Sequence, residues 1–284
     1  MPHDDSYDRS RRRGRAAGTI PLIGCLWLAG CGVQAYEQRL NDANELFTYQ
    51  NRLDQVLTRQ TWGSPDGSVS FRVPLNYTLI PGPPPVTGDE ENAEPVADPR
   101  QPTYLGVPEI EGLVSAWKTT VAADSGAATV YLYLLGNQDR ILNSGPGKVG
   151  APPEDYLKDL ESVLQMQLGI TLTEGQSGND VNVKRQESIP REERFVRRKD
   201  FAVARLVPPP EALRNLGLPE GVELEAYLYE HRADPIQIAF LLVAPPKIRD
   251  NPEAALRVAL ETLSVQPPRR AASGEAAPAG NTGF

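Results

Sequence analysis

Residues 236–243 read Ile236-Gln237-Ile238-Ala239-Phe240-Leu241-Leu242-Val243. Successive side chains of a strand point to opposite faces, and this run is apolar on both. It is therefore expected to be a central strand covered on each side. Working outward, residues 222–230 precede it across Ala233-Asp234-Pro235, a turn composition that makes the pair a hairpin. A second hairpin is expected from residues 113–122 and 129–135, joined at Asp124-Ser125-Gly126. In its second arm Val130, Leu132 and Leu134 face one way, and Tyr131, Tyr133 and Leu135 face the other. Strand-like segments also occur at 181–189 and 200–207, with the charged stretch Arg191–Lys199 as the solvated end of their hairpin. Further upstream, residues 69–80 change period: Val69, Phe71 and Val73 alternate with polar residues as in a strand, which Pro74 ends.

Between these strands the hydrophobic period changes to that of a helix. Tyr36, Leu40, Ala43, Leu46, Phe47, Leu53, Val56 and Leu57 predict one apolar face over 36–59. Tyr156, Leu157, Leu160, Val163, Leu164 and Leu168 predict a second helix over 153–168, with Pro153 in its first turn and Gly169 at its end. A last helix starts at Asn251 as N-cap and Pro252 at N1, and turns Leu256, Leu260 and Leu263 inward. The expected class is α+β, a mainly antiparallel sheet flanked by helices on both faces and preceded by an N-terminal stalk helix. The expected divisions are a leader at 1–30, an anchored stalk at 31–60, a sandwich domain at 61–266 and a disordered Pro/Ala/Gly-rich tail at 267–284. Residues 81–102, rich in Pro and carrying Asp89-Glu90-Glu91, read as an exposed loop.

The N-terminus carries the clearest functional signal. Arg11-Arg12-Arg13 and Arg15 precede a short apolar stretch that ends at Leu28-Ala29-Gly30-Cys31. That stretch is the length of a secretory signal and shorter than a spanning helix. Its end is similar to the lipobox of bacterial lipoproteins, and the resemblance implies a lipidated Cys31 as first mature residue. Gly32 after the cysteine implies, by the same resemblance, the outer membrane over the inner. The expected location is the cell envelope, lipid-anchored and facing the periplasm.

Ser70-Phe71-Arg72-Val73-Pro74-Leu75-Asn76-Tyr77 resembles the opening of Mog1/PsbP-like α-β-α sandwich domains. Glu261-Thr262-Leu263-Ser264-Val265 resembles their closing strand. The likeness spans about residues 65–266 and implies a binding or assembly module. Tyr36-Glu37-Gln38-Arg39-Leu40 and the Arg72-Val73-Pro74 strand are also similar to uncharacterised planctomycete lipoproteins.

Composition narrows the chemistry. With Cys25 in the leader, Cys31 is the only cysteine expected in the mature chain, so no disulfide framework or thiolate metal site is expected. The net charge of −8 argues against a nucleic-acid partner. His231 is the only histidine after the leader. It is read as a solvated turn residue rather than a catalytic base, and no Gly-x-Ser-x-Gly elbow accompanies it. One histidine is a poor start for zinc. Gly145-Pro146-Gly147-Lys148 lacks the full phosphate-loop pattern. Tyr131, Tyr133, Tyr227 and Tyr229 read as sheet-facing core. Arg194, Arg197, Arg198 and Lys199, beside Arg191, form a candidate contact patch for an acidic partner or anionic lipid. No catalytic residue, metal or cofactor is expected. The reading is a non-catalytic, membrane-anchored module that binds a protein partner. The alternative is a ligand-binding or hydrolytic domain with a carboxylate or calcium site, to which Asp89-Glu90-Glu91 would contribute.

Overall fold

The computed structural model describes residues 21–83, 97–105, 109–123, 126–144, 150–175, 180–218 and 223–267, with side chains described from Val33 onward. The expected loop core at 84–96, the turn residues 124–125, the Gly145–Lys148 segment and the tail from 268 lie outside these residues. The chain divides into two compact units, Met1–Asn51 and Arg52–Phe284.

In the first unit the described residues are helical throughout, as the leading part of α1 (Pro21–Val56). Val33, Tyr36, Leu40, Leu46 and Phe47 are exposed on it. The helix starts earlier than the apolar periodicity suggested and stops sooner. Leu57–Gly63, expected as helix as far as residue 59, is instead strand β1. It pairs antiparallel with β2 (Val69–Pro74), setting Trp62 opposite Phe71. Thr58, Thr61 and Trp62 favour a pleated surface, and tertiary pairing overrides the helical spacing.

The second unit is α+β. The remaining strands are β3 (Thr78–Leu79), β4 (Leu113–Ala123), β5 (Gly126–Gly136), β6 (Thr173–Glu174), β7 (Val183–Ile189), β8 (Lys199–Leu206), β9 (Glu225–Ala233), β10 (Ile236–Ala244) and β11 (Ser264–Val265). The helices are α2 (Gln138–Asn143), α3 (Tyr156–Leu168), α4 (Pro210–Asn215) and α5 (Pro252–Glu261). One sheet runs β3-β4-β5-β10-β9-β8-β7-β6, and a smaller one runs β1-β2-β11. All named pairings are antiparallel except β6 with β7. Every residue of β10 is buried, as its two apolar faces require.

Helices cover both faces of the large sheet. On one side α3 presents Leu157, Leu160, Leu164 and Leu168 to Tyr133, Leu135, Ala204, Leu228 and Leu241. On the other side lie α5 and the small sheet. There Phe71 meets Trp62, Trp117 and Phe240 edge-on, with ring centroids 5.6, 5.4 and 5.1 Å apart. Leu256, Leu260 and Leu263 are buried on this side, and the Asn251 side chain accepts the Ala254 N–H at 2.9 Å as the expected N-cap.

The start of α3 is fixed from the sheet. Its own N-cap position, Asp155, makes no capping bond. Instead the Gln237 Oε1 on β10 accepts the Leu157 N–H at 3.1 Å, and Gln237 Nε2 donates to the Glu154 carbonyl at 2.8 Å. Asn137 braces the same corner. Its Nδ2 donates to Pro153 and Pro235 carbonyls, and its Oδ1 accepts the Gln237 N–H.

Candidate functional site

At the Ala244 end of β10 a groove of about 1140 Å³ opens between α4 and the start of α5. Its position follows from register. Arg205 on β8 faces Tyr227 on β9, and Glu225 lies two residues before Tyr227 on the same face. Arg205 donates to both Glu225 oxygens, Nε at 3.0 Å and Nη2 at 2.5 Å, and the Tyr227 hydroxyl donates to Glu225 Oε2 at 3.0 Å. The carboxylate hydrogen bonds hold the Arg205 guanidinium more firmly cationic. Burial, and then the Glu225 charge, push the Tyr227 hydroxyl up to about 12, so it stays a donor. The walls carry Pro208, Pro210, Pro245, Pro246 and Pro252. Proline fixes φ and lowers the freedom a wall can lose on binding. Arg214, Lys247 and Arg249 on the rim are offset by Glu223, Asp250 and Glu253, so the groove has no single charge sign.

A second polar cluster lies on the α3 face. Lys184 of β7 donates from Nζ to Glu161 of α3 at 2.7 Å and sits 3.2 Å from Glu174 of β6. Glu230 of β9 shares this site and is 4 % exposed. Burial first, then the neighbouring Glu161 carboxylate, push its carboxyl up to about 8. Its Oε1 has no hydrogen-bond partner among the described residues. Burial of two neighbouring carboxyls favours a proton on one of them. The sequence carried one signal for it: Glu230 interrupts the apolar register Ala226, Leu228 on a strand that must be covered on both faces.

The residues singled out from sequence are spread across the chain. Leu28, Ala29, Gly30 and Cys31 lie within α1. Arg194, Arg197 and Arg198 are exposed on the 190–198 connection between β7 and β8. Lys199 departs from them. Burial lowers its pKa, and its Nζ donates to the Glu261 carbonyl at 3.0 Å, closing the C-terminus of α5. Cations suit that end of a helix dipole.

His231 is not in a turn. It sits within β9 opposite Ile238, its ring 5.0 Å from that of Phe201, and its Nδ1 donates to the Asp200 carbonyl at 2.8 Å. Burial lowers its pKa and favours the neutral ring. Sequence placed it in a turn because its polar neighbours Arg232 and Asp234 suggested an earlier strand end. Tyr133 and Tyr229 are buried in the core, whereas Tyr227 lines the groove. Among the described residues no group of three or more His, Cys, Asp or Glu side chains could hold a metal ion. None of the described helices is long and apolar enough to cross a membrane.

No model of a known protein family matches the chain, and no curated protein matches it. Among solved structures, a protein of Bacteroides thetaiotaomicron VPI-5482 is similar over 73% of this chain, at 11% identity and a TM-score of 0.31. The chain spans 48% of that protein's length.

Proposed function

We propose that this is an exported envelope lipoprotein, tethered through Cys31 and facing the periplasm, whose sandwich domain binds an extended segment of another envelope protein in the groove. The lipobox-like Leu28-Ala29-Gly30-Cys31 supports the anchor, and Gly32 supports the outer membrane. One observation carries the binding role. The groove is large and open, its walls are held by five prolines, and its floor charges satisfy one another. A floor whose carboxylate already has its donors can be covered by a peptide without stranding an unpaired charge. An extended segment suits an open trough better than a compact small molecule, which needs enclosure on most sides.

A hydrolytic carboxylate reading draws on the Glu161–Glu230 pair. Against it, both side chains are turned into the layer between α3 and the sheet, away from the groove. Site-specific photocrosslinking in intact cells tests the binding role. A crosslinker at Ile248 in the groove is expected to give a discrete adduct, and one at exposed Lys158 on α3 is not. Tyr227→Lys should remove the Ile248 adduct. The same adducts from both positions, or their persistence in Tyr227→Lys, would overturn the reading.

A further inference from the structure

We propose that Glu161, Lys184 and Glu230 form a proton-operated latch that clamps α3 to the sheet and, through α4, holds the groove wall in place. The consequence for the groove rests on the binding reading above; the latch itself does not.

The cluster joins four elements: α3 by Glu161, β6 by Glu174, β7 by Lys184 and β9 by Glu230. Three carboxylates surround one ammonium, so full ionisation leaves the group short of positive charge. The Glu174 side chain is 73% exposed and screened by water, so the burden falls on Glu161 and Glu230. Little else among the described residues relieves Glu230. The flanking strands present Ala202 and Ala239 beside it. Tyr156 of α3 senses its charge but stays neutral, since burial raises its own pKa. Arg232, on the same strand, offsets the Glu230 charge, but it is exposed and water screens it.

A proton on Glu230 resolves the conflict. The protonated carboxyl donates to Glu161, and Glu161 also accepts from Lys184, so α3 is tied to β7 and β9 together. When that proton leaves, two carboxylates face each other in a buried layer across the α3–sheet contact. Like charges at this range in a poorly solvated site repel strongly.

The strain is relayed by direct packing. Gly169, the left-handed residue closing α3, lies against Ala212 of α4, where an added Cβ would come within 3.0 Å of the Ala212 Cβ. Leu216 and Leu224 pack on the same core cluster as α3, and Leu213, Arg214 and Leu224 line the groove. Loosening α3 therefore loosens the α4 wall.

Hydrogen exchange followed by mass spectrometry, on the whole protein without ligand, tests this. Labelling times are scaled for intrinsic exchange between about pH 6.5 and pH 8.5. With an open-state pKa near the ordinary Glu value, opening of α3 and α4 should rise about 20-fold across that interval. Exchange in β5 and β10 should stay constant. Glu230→Gln should keep α3 and α4 closed at both pH values, and Glu161→Gln should shrink the response. An unchanged wild type, or a Glu230→Gln that opens in parallel with it, would overturn the latch. Opening confined to α3 would overturn the link to the groove wall. Because no partner is used, a failed crosslinking experiment and a failed latch remain distinguishable.

Discussion

Gln237→Met should destabilise the α3 face, although it keeps volume and adds apolar surface. Gln237 is 4% exposed, and its side chain satisfies two main-chain groups that have no local partner. The Leu157 N–H is one of the orphan donors of a helix start, and Asp155 does not serve it. The Glu154 carbonyl is the second. Methionine would leave the buried Leu157 N–H unpaired, at about 1–3 kcal/mol, and would return the carbonyl of exposed Glu154 to water at a smaller cost. The expected loss is about 2 kcal/mol, which for a unit of this size lowers Tm by about 4–8 °C. Urea unfolding followed by circular dichroism and tryptophan fluorescence measures it. Gln237→Glu gives an internal control. It keeps an acceptor for the Leu157 N–H and, when protonated, a donor to the Glu154 carbonyl, but its ionised form sets a buried carboxylate against that carbonyl, so its cost should grow with pH while that of Gln237→Met stays constant. A loss under about 0.5 kcal/mol for Gln237→Met would show that the β10–α3 corner does not depend on this amide.

Three other outcomes are expected. Phe71→Ala should cost about 3–5 kcal/mol in the same unfolding assay, because the ring is fully buried between Trp62, Trp117 and Phe240; a loss near 1 kcal/mol would mean that the small sheet adds little to the core. Glu230 has a folded pKa raised to about 8 over an ordinary unfolded value, so the folded state binds the extra proton. Its stabilisation is complete below the unfolded pKa and is lost as pH rises through the folded one. Stability should fall by about 2 kcal/mol between about pH 6.5 and 8.5, and Glu230→Gln should flatten that slope; parallel pH profiles of Tm would refute it. Cys31→Ala should abolish labelling by a radioactive fatty acid and membrane retention in cell fractions, and continued labelling would refute the anchor.

The layers of the fold were legible because burial leaves a periodic trace. The doubly apolar run at β10, the hairpin of β4 and β5 and the leucine spacing of α3 each report which faces are covered. Asn251-Pro252 marked the start of α5 because its cap is local, three residues from the N–H it accepts. The cap of α3 was invisible for the opposite reason: Gln237 lies 80 residues from Leu157. Strand β1 was hidden inside helical spacing, since Leu53, Val56 and Leu57 continue the stripe of α1 while pairing with β2 decides the backbone of Leu57.

The groove was illegible in a stronger sense. Arg205, Glu225 and Tyr227 are ordinary strand residues in sequence, and only the β8–β9 register places them together at a sheet end. Their chemistry also removes the usual cues, because a saturated carboxylate and a paired guanidinium leave no isolated charge to notice. Glu230 differs. A charged residue in a register that must be buried violates the pattern around it, and such a violation is maintained only where neighbours compensate. The compensating group here is a proton shared with Glu161 beside Lys184. A proton occupies no volume and leaves no motif, so the sequence could mark where the fold breaks its own rule but not what the exception holds.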